Sequence, residues 1–186
     1  NFSAHKHVRS EKDKISVEAL IKNNVYGAIK LLELCSKRPP KNFFSVSTDK
    51  AANPVNIMGA SKSLMEKLIL SKQSEFRVST ARFANVAFSN GSLLDGFVHR
   101  INKKQPLSCP SDIKRFFVTP EQSGQICLLA TFLGKSGNIF FPKLDFHKDQ
   151  IYFKDIALDF LNENGFEPVL ASSEQEAKSF DIEGNP

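Results

Sequence analysis

The segment Ser45-Val-Ser-Thr-Asp-Lys50 places a hydroxyl, a carboxylate and an amine side by side at the end of a short apolar run. An amine of depressed pKa can act as base toward a carbon acid beside a carbonyl, and a carboxylic acid kept protonated can assist a leaving hydroxyl. The same residue types also make an ordinary strand-to-loop turn, in which Ser, Thr and Asp bond their own backbone. A second feature lies in Asn56-Ile-Met-Gly-Ala-Ser-Lys-Ser63. Residues four apart on a helix share a face, so Met58 and Lys62 point together toward whatever the strand end faces.

A hydroxyl-bearing strand end followed by Y-x-x-x-K is the signature of the short-chain dehydrogenase/reductase superfamily. This chain resembles it with Met58 where the Tyr stands. In that family the Lys binds the nicotinamide ribose and lowers the pKa of the Tyr; Met can neither give nor take that proton. The run from Ser47 to Lys62 is similar to the nucleotide-sugar 4,6-dehydratases of the polysaccharide-biosynthesis type, some of which carry Met at this position. Further pieces agree in order: Ala4-His-Lys-His-Val8, Asn24-Val-Tyr-Gly27, Arg82-Phe-Ala-Asn-Val86, Asn90-Gly-Ser92 and Asp112-Ile-Lys-Arg-Phe-Phe-Val-Thr119. The resemblance runs from about Phe2 to about Phe160 and is closest to the UDP-N-acetylglucosamine 4,6-dehydratases.

That resemblance implies an NAD(P)-dependent lyase that turns UDP-N-acetylglucosamine into a 4-keto-6-deoxy sugar nucleotide, with NAD or NADP as cofactor and a UDP-sugar as partner. It makes Thr48, Asp49, Lys50, Met58 and Lys62 the catalytic set. Lys50 would be the base at C5, Asp49 the acid at the C6 hydroxyl, and Thr48 the hydrogen bond to the C4 oxygen. Ala4, Lys6, Ser47 and Lys62 would contact the cofactor, and Lys6, Asn85 and Arg115 the substrate. Taken as residues alone, Lys6 is an exposed Lys, Asn85 a turn cap and Arg115 a surface Arg. A guanidinium is nevertheless the natural partner of a diphosphate. Two other readings remain open. A 4-epimerase or reductase of the same superfamily would not need the Asp49-Lys50 pair, and a non-catalytic dinucleotide-binding protein would suit Met58.

The elements that must position these groups follow from periodicity. Apolar spacing predicts a helix over Lys14 to Ser36, ended by Pro39-Pro40, and a second over Ile57 to Lys72. Apolar runs at Asn42 to Ser47 and Arg77 to Ala84 read as buried parallel strands. Helices are expected at Leu93 to Asn102, at Pro120 to Leu133 and at Phe153 to Asn164 before Gly165; short strands are expected at Pro106 to Cys109 and Asn138 to Phe141. Long helices alternating with buried strands predict an α/β fold, a Rossmann-like doubly wound parallel sheet lacking its N-terminal strands, with a small C-terminal substrate-binding lobe. Residues 1-104 are assigned to the C-terminal part of the NAD(P)-binding domain and 105-186 to a mixed segment contributing to the lobe.

Composition narrows the class. The chain has 186 residues, 41% of them hydrophobic and seventeen of them Phe, enough for a sizeable core. The formal charge of +5 comes from scattered Lys residues without a basic-aromatic tract, so nucleic acid is not expected as a partner. Cys35, Cys109 and Cys127 form no paired framework, His99 and His147 lack ligand-spaced companions, and no metal site is expected. No run of eighteen apolar residues occurs, so no membrane span is expected in this segment; the widely spaced cysteines suit a reducing cytoplasm, and a homo-oligomer is expected. No G-x-x-G-x-x-G loop is present, which suggests an internal piece of a longer protein.

Overall fold

The computed structural model describes residues 1–6, 11 and 13–179, apart from the side chains of 174 and 178. His7 and Val8 of the first matching motif lie outside the described residues. In chain order the elements are α1 (Lys14–Ile21), a π-helical turn (Lys22–Tyr26), α2 (Gly27–Lys37), β1 (Phe43–Thr48), a 3-10 turn (Asp49–Ala51), α3 (Ile57–Leu70), β2 (Val78–Phe83), β3 (Asn85–Val86), α4 (Leu93–Asn102), β4 (Lys114–Val118), α5 (Pro120–Phe132), β5 (Asn138–Phe140), β6 (Gln150–Tyr152), α6 (Phe153–Glu163) and α7 (Glu174–Ser179). They fall into two compact units. One joins Asn1–Ala84 to Glu121–Lys143, and the other joins Asn85–Pro120 to the described residues from Leu144 onward.

In the first unit the strands run parallel in the order β1-β2-β5. β1 and β2 are in register from Phe43 opposite Val78 to Thr48 opposite Phe83, and β2 meets β5 from Ser79 opposite Asn138 to Ala81 opposite Phe140. On the free edge of β1, Asn1 donates its terminal nitrogen to the Phe44 carbonyl and accepts from the Val46 amide at 3.1 Å. Alternation along the strands puts Phe43, Ser45 and Ser47 on one face together with Val78, Thr80 and Arg82. On that face Phe43 and Val78 pack with Ala28, Leu32, Met65, Ile69 and Phe76. Removing a side chain of this size from water contributes roughly 1.5–3 kcal/mol. The opposite face is tied to α5 by a 2.7 Å bond from Ser79 Oγ to the Ala130 carbonyl.

The predicted first helix does run from Lys14 to Lys37, opened by Asp13, whose carboxylate accepts from the Ser16 amide at 3.0 Å. Its middle is a π-helical turn, however. Such turns are rare and concentrate at functional sites, and here the turn carries the fully buried Asn24.

In the second unit β3 and β4 are parallel and β4 and β6 antiparallel. Its core gathers Leu94, Phe97 and Ala157, with the Phe97 and Phe160 rings 5.7 Å apart. α6 ends at Glu163, and Gly165 takes φ +80°, a conformation that a Cβ would strain. The strand expected at Pro106 to Cys109 is not formed. Pro106 and Pro110 offer no amide for a ladder, and the Pro106 carbonyl instead accepts from Arg100 Nη1 at 2.9 Å. The strand of this region is β4, Lys114–Val118.

Candidate functional site

β1 delivers its last residues into a compact polar turn. The backbone of Thr48 is still extended, and its hydroxyl donates to Asp49 Oδ1 at 2.9 Å. The same carboxylate oxygen accepts from the Lys50 amide at 2.8 Å and from Lys50 Nζ at 3.1 Å. Two side chains of the expected set, Thr48 and Lys50, therefore meet on one oxygen of the third, Asp49. The Asp49 and Lys50 side chains remain about half exposed, open to an incoming ligand.

The turn is fixed against the start of α3. Asn56 caps that helix, its side-chain oxygen accepting from the Gly59 amide at 2.8 Å, and Glu11 Oε1 accepts from the Met58 amide at 2.7 Å. A Cβ on Gly59 would stand 2.8 Å from the Lys50 carbonyl oxygen, so the absence of a side chain there sets how closely helix and turn approach.

Met58 and Lys62 share the buried face of α3, as their spacing predicts. Lys62 donates to the Val46 carbonyl at 2.7 Å, which places its ammonium beside the end of β1. Burial lowers its pKa from 10.5 to about 8, and the nearby Glu66 partly offsets the effect. Glu66, one turn further on, gives both oxygens to Arg82 of β2: Nη2 to Oε1 at 2.5 Å and Nε to Oε2 at 3.1 Å.

The segment carrying Ala4 and Lys6 is tied to the same helix through Asn24. His5 donates its amide to Asn24 Oδ1 at 2.8 Å, and Asn24 Nδ2 donates to the His5 carbonyl and to Ser61 Oγ, each at 2.9 Å. Ser61 in turn donates to the Met58 carbonyl at 2.8 Å. Lys6 itself is exposed. Ser47 is 3% exposed, and its Oγ is a buried polar atom without a hydrogen-bond partner, next to Thr48 at the carboxyl end of β1. Buried polar atoms are rarely left so. The groups here, an unpartnered hydroxyl and a buried ammonium on the carbonyl of the preceding residue, are of types that suit the polar groups of a ribose or nicotinamide.

Asn85 and Arg115 belong to the second unit. Asn85 Nδ2 donates to the Phe116 carbonyl at 3.1 Å, so part of its side chain serves the β3-β4 junction. Arg115 is exposed, with Nη1 on the carbonyl of Lys114 at 2.9 Å. Sequence reasoning assigned no role to Asn24, Glu11, Glu66 or Arg82. Asn24 and Arg82 did stand in two of the segments that carry the resemblance, whereas Glu11 and Glu66 stood in none. Among the described residues no helix is long and apolar enough to cross a membrane, and no group of three His, Cys, Asp or Glu could hold a metal.

A parallel sheet with a polar turn at the carboxyl end of β1 defines an α/β protein of the Rossmann-like kind. The crystal structure of DesIV, a dTDP-glucose 4,6-dehydratase from Streptomyces venezuelae with NAD and TYD bound, shares the fold: the TM-score is 0.74 at 19% identity, over 88% of this chain and 56% of that one. The chain belongs to the polysaccharide biosynthesis protein family, which it matches over residues 1–179. It is 36% identical over 130 residues to an uncharacterized membrane protein of Methanocaldococcus jannaschii, covering 67% of this chain and 39% of that protein. It is 30% identical over 181 residues to the UDP-glucose 4-epimerase of Rickettsia typhi, covering 88% and 53% respectively. The chain thus spans well under two thirds of the length of each of these relatives.

Proposed function

We propose that this chain carries the acid-base centre of an NAD(P)-dependent nucleotide-sugar 4,6-dehydratase acting on UDP-N-acetylglucosamine. The observation that carries this reading is that Thr48 Oγ1 and Lys50 Nζ both donate to Asp49 Oδ1 at the end of β1, the strand whose Val46 carbonyl the buried Lys62 ammonium meets. A bound nicotinamide would supply the hydride acceptor for C4 and, once reduced, the hydride donor to C6. Ser47 Oγ and Lys62 Nζ are the groups suited to hold it, and Ala4 and Lys6 flank His5, the residue that Asn24 clamps.

Lys50 takes the C5 proton once the C4 ketone has acidified it, and returns a proton to C5 after the water has left. Asp49 gives a proton to the departing C6 hydroxyl, and Thr48 orients the C4 oxygen. Asn85 and Arg115 serve the nucleotide end of the substrate, where a guanidinium suits a diphosphate.

One alternative rests on a specific likeness. The Rickettsia relative is a UDP-glucose 4-epimerase, and an epimerase shares the cofactor but has no work for the Asp49-Lys50 pair. Incubating the full-length protein with UDP-N-acetylglucosamine and weighing the product separates the two. Dehydration yields a sugar nucleotide lighter by one water, absent in an Asp49→Asn/Lys50→Ala control. An isomer of unchanged mass, still formed by that control, establishes the epimerase and removes the dehydratase.

A further inference from the structure

Glu66 is 3% exposed and stands four residues after Lys62 on α3. A Lys and a Glu at that spacing are neighbours on one helix face and attract each other. Burial strengthens the attraction, because little water is left to screen it. The Lys62 ammonium nevertheless lies on the Val46 carbonyl at 2.7 Å, with Met65 Sδ at 3.8 Å, rather than on Glu66.

The group that takes its place is Arg82. Its fork engages both carboxylate oxygens, Nη2 on Oε1 at 2.5 Å and Nε on Oε2 at 3.1 Å. Two parallel bonds from a planar guanidinium outcompete the point contact that an ammonium offers. Arg82 reaches α3 from β2, where it stands in register with Ser47 of β1. Paired strands lie about 4.8 Å apart, and both side chains rise from the sheet face against which Met65 and Ile69 of α3 pack. One strand therefore draws the carboxylate of α3, and its neighbour draws the ammonium.

We propose that Arg82 is a positioning residue for the cofactor site: by holding both oxygens of Glu66 it keeps Lys62 from folding onto its helix neighbour and aims the ammonium at the end of β1, where the cofactor's ribose would meet it. This rests on the cofactor role given above to Lys62 and Ser47, and Arg82 acts through Lys62. The same arrangement governs the charge. Burial lowers the Lys62 pKa to about 8 and Glu66 works against that; a carboxylate already neutralised by Arg82 offsets only part of the burial. Below about pH 8 Lys62 is thus a cation that no carboxylate has claimed.

The other charged groups near Lys62 are engaged elsewhere. The terminal nitrogen of Asn1 lies along β1 on the Phe44 carbonyl, and in the 3-10 turn Asp49 and Lys50 pair with each other. Glu11 accepts from the Met58 amide, and Glu18 of α1 pairs with Lys14 at the surface. The π-helical turn meets α3 through the neutral Asn24, and α2 turns Ala28 and Leu32 inward.

The test follows Lys62 by the pH titration of its ¹³Cε resonance in the full-length protein, and follows NAD by calorimetric titration. In Arg82→Met the freed Glu66 captures Lys62. The Lys62 midpoint then rises by about one pH unit or more, and NAD affinity near neutrality falls about tenfold. Glu66→Gln moves the midpoint the other way, since the carboxylate is gone and Arg82 remains. In the double variant no carboxylate is left to capture Lys62, so most of the NAD affinity returns.

A pair that only braces the fold weakens NAD binding in both single variants without moving the Lys62 midpoint in opposite directions. That result overturns the proposal, as does wild-type NAD affinity in Arg82→Met. Should Arg82→Met not fold, Arg82→Lys decides. Its ammonium leaves one Glu66 oxygen open, so the midpoint must still rise and NAD affinity still fall, and a titration like that of wild type overturns the proposal. Wild-type protein whose Lys62 resonance ignores NAD refutes the cofactor role of Lys62 and the proposal with it. A wild type that responds, beside variants that titrate alike, refutes only the positioning by Arg82. The dehydratase reading is decided separately, by the mass of the product.

Discussion

Lys62 and Glu66 lie one turn apart on α3, both buried, yet they do not pair with each other: Glu66 closes a two-pronged bond with Arg82, and the Lys62 ammonium turns to the carbonyl of Val46. Two charges that would meet on an isolated helix are thus sent in different directions by the sheet beneath them. The carboxylate locks α3 onto β2, and the ammonium is left facing the end of β1.

The burial of Lys62 makes stability depend on alkaline pH. Its folded pKa of about 8 lies below the unfolded 10.5, so between these values the unfolded chain binds the extra proton and stability rises with pH. Below about pH 8 the protein carries the full cost of the buried charge, about 3 kcal/mol. Denaturant titrations from neutrality to pH 10.5 should show Lys62→Met more stable than wild type at the acid end, with the gap closing as pH rises. A gap that does not change with pH rules out this account.

The Glu66-Arg82 pair should be strongly coupled. Removing one partner strands a buried charge, so Glu66→Leu and Arg82→Leu should each destabilise by on the order of 2–4 kcal/mol, while the double variant loses far less than their sum. A double-mutant cycle in urea measures this. Additive losses would mean that the pair is merely an exposed contact, despite the 4% exposure of the Glu66 side chain.

Ser47 should behave in the opposite sense. Its hydroxyl is buried with no partner, so Ser47→Ala removes an unmet polar group and should leave stability within about 0.5 kcal/mol of wild type or raise it. Calorimetric titration with NAD should then show affinity reduced by roughly tenfold. Unchanged affinity would take Ser47 out of the cofactor site.

Much of this was legible in the sequence where the signal is local. The ends of β1, α3, α4 and α6 fall within two residues of the positions that periodicity, Pro and Gly indicate. Met58 and Lys62 share a face because helical spacing alone requires it. What escaped has partners distant in sequence: Asn24 meets Ser61, Glu66 meets Arg82, and Glu11 meets Met58, 47 residues away. No local pattern encodes such pairings. β4 escaped for a different reason, since Lys114-Arg-Phe-Phe-Val118 mixes charge with aromatics on a strand whose alternate residues are only half covered. The π-helical turn leaves the apolar spacing almost intact and changes only the hydrogen-bond step.

Met58 and Gly59 stand side by side on α3 and differ in what each position can accept. Position 58 is a question of filling, since Met58 is buried on the inner face of the helix. Position 59 is a question of volume: a single methyl would stand 2.8 Å from the Lys50 carbonyl and push the turn off the helix. Neighbouring positions therefore carry unlike constraints, one needing a side chain to fill its space and the other needing none at all.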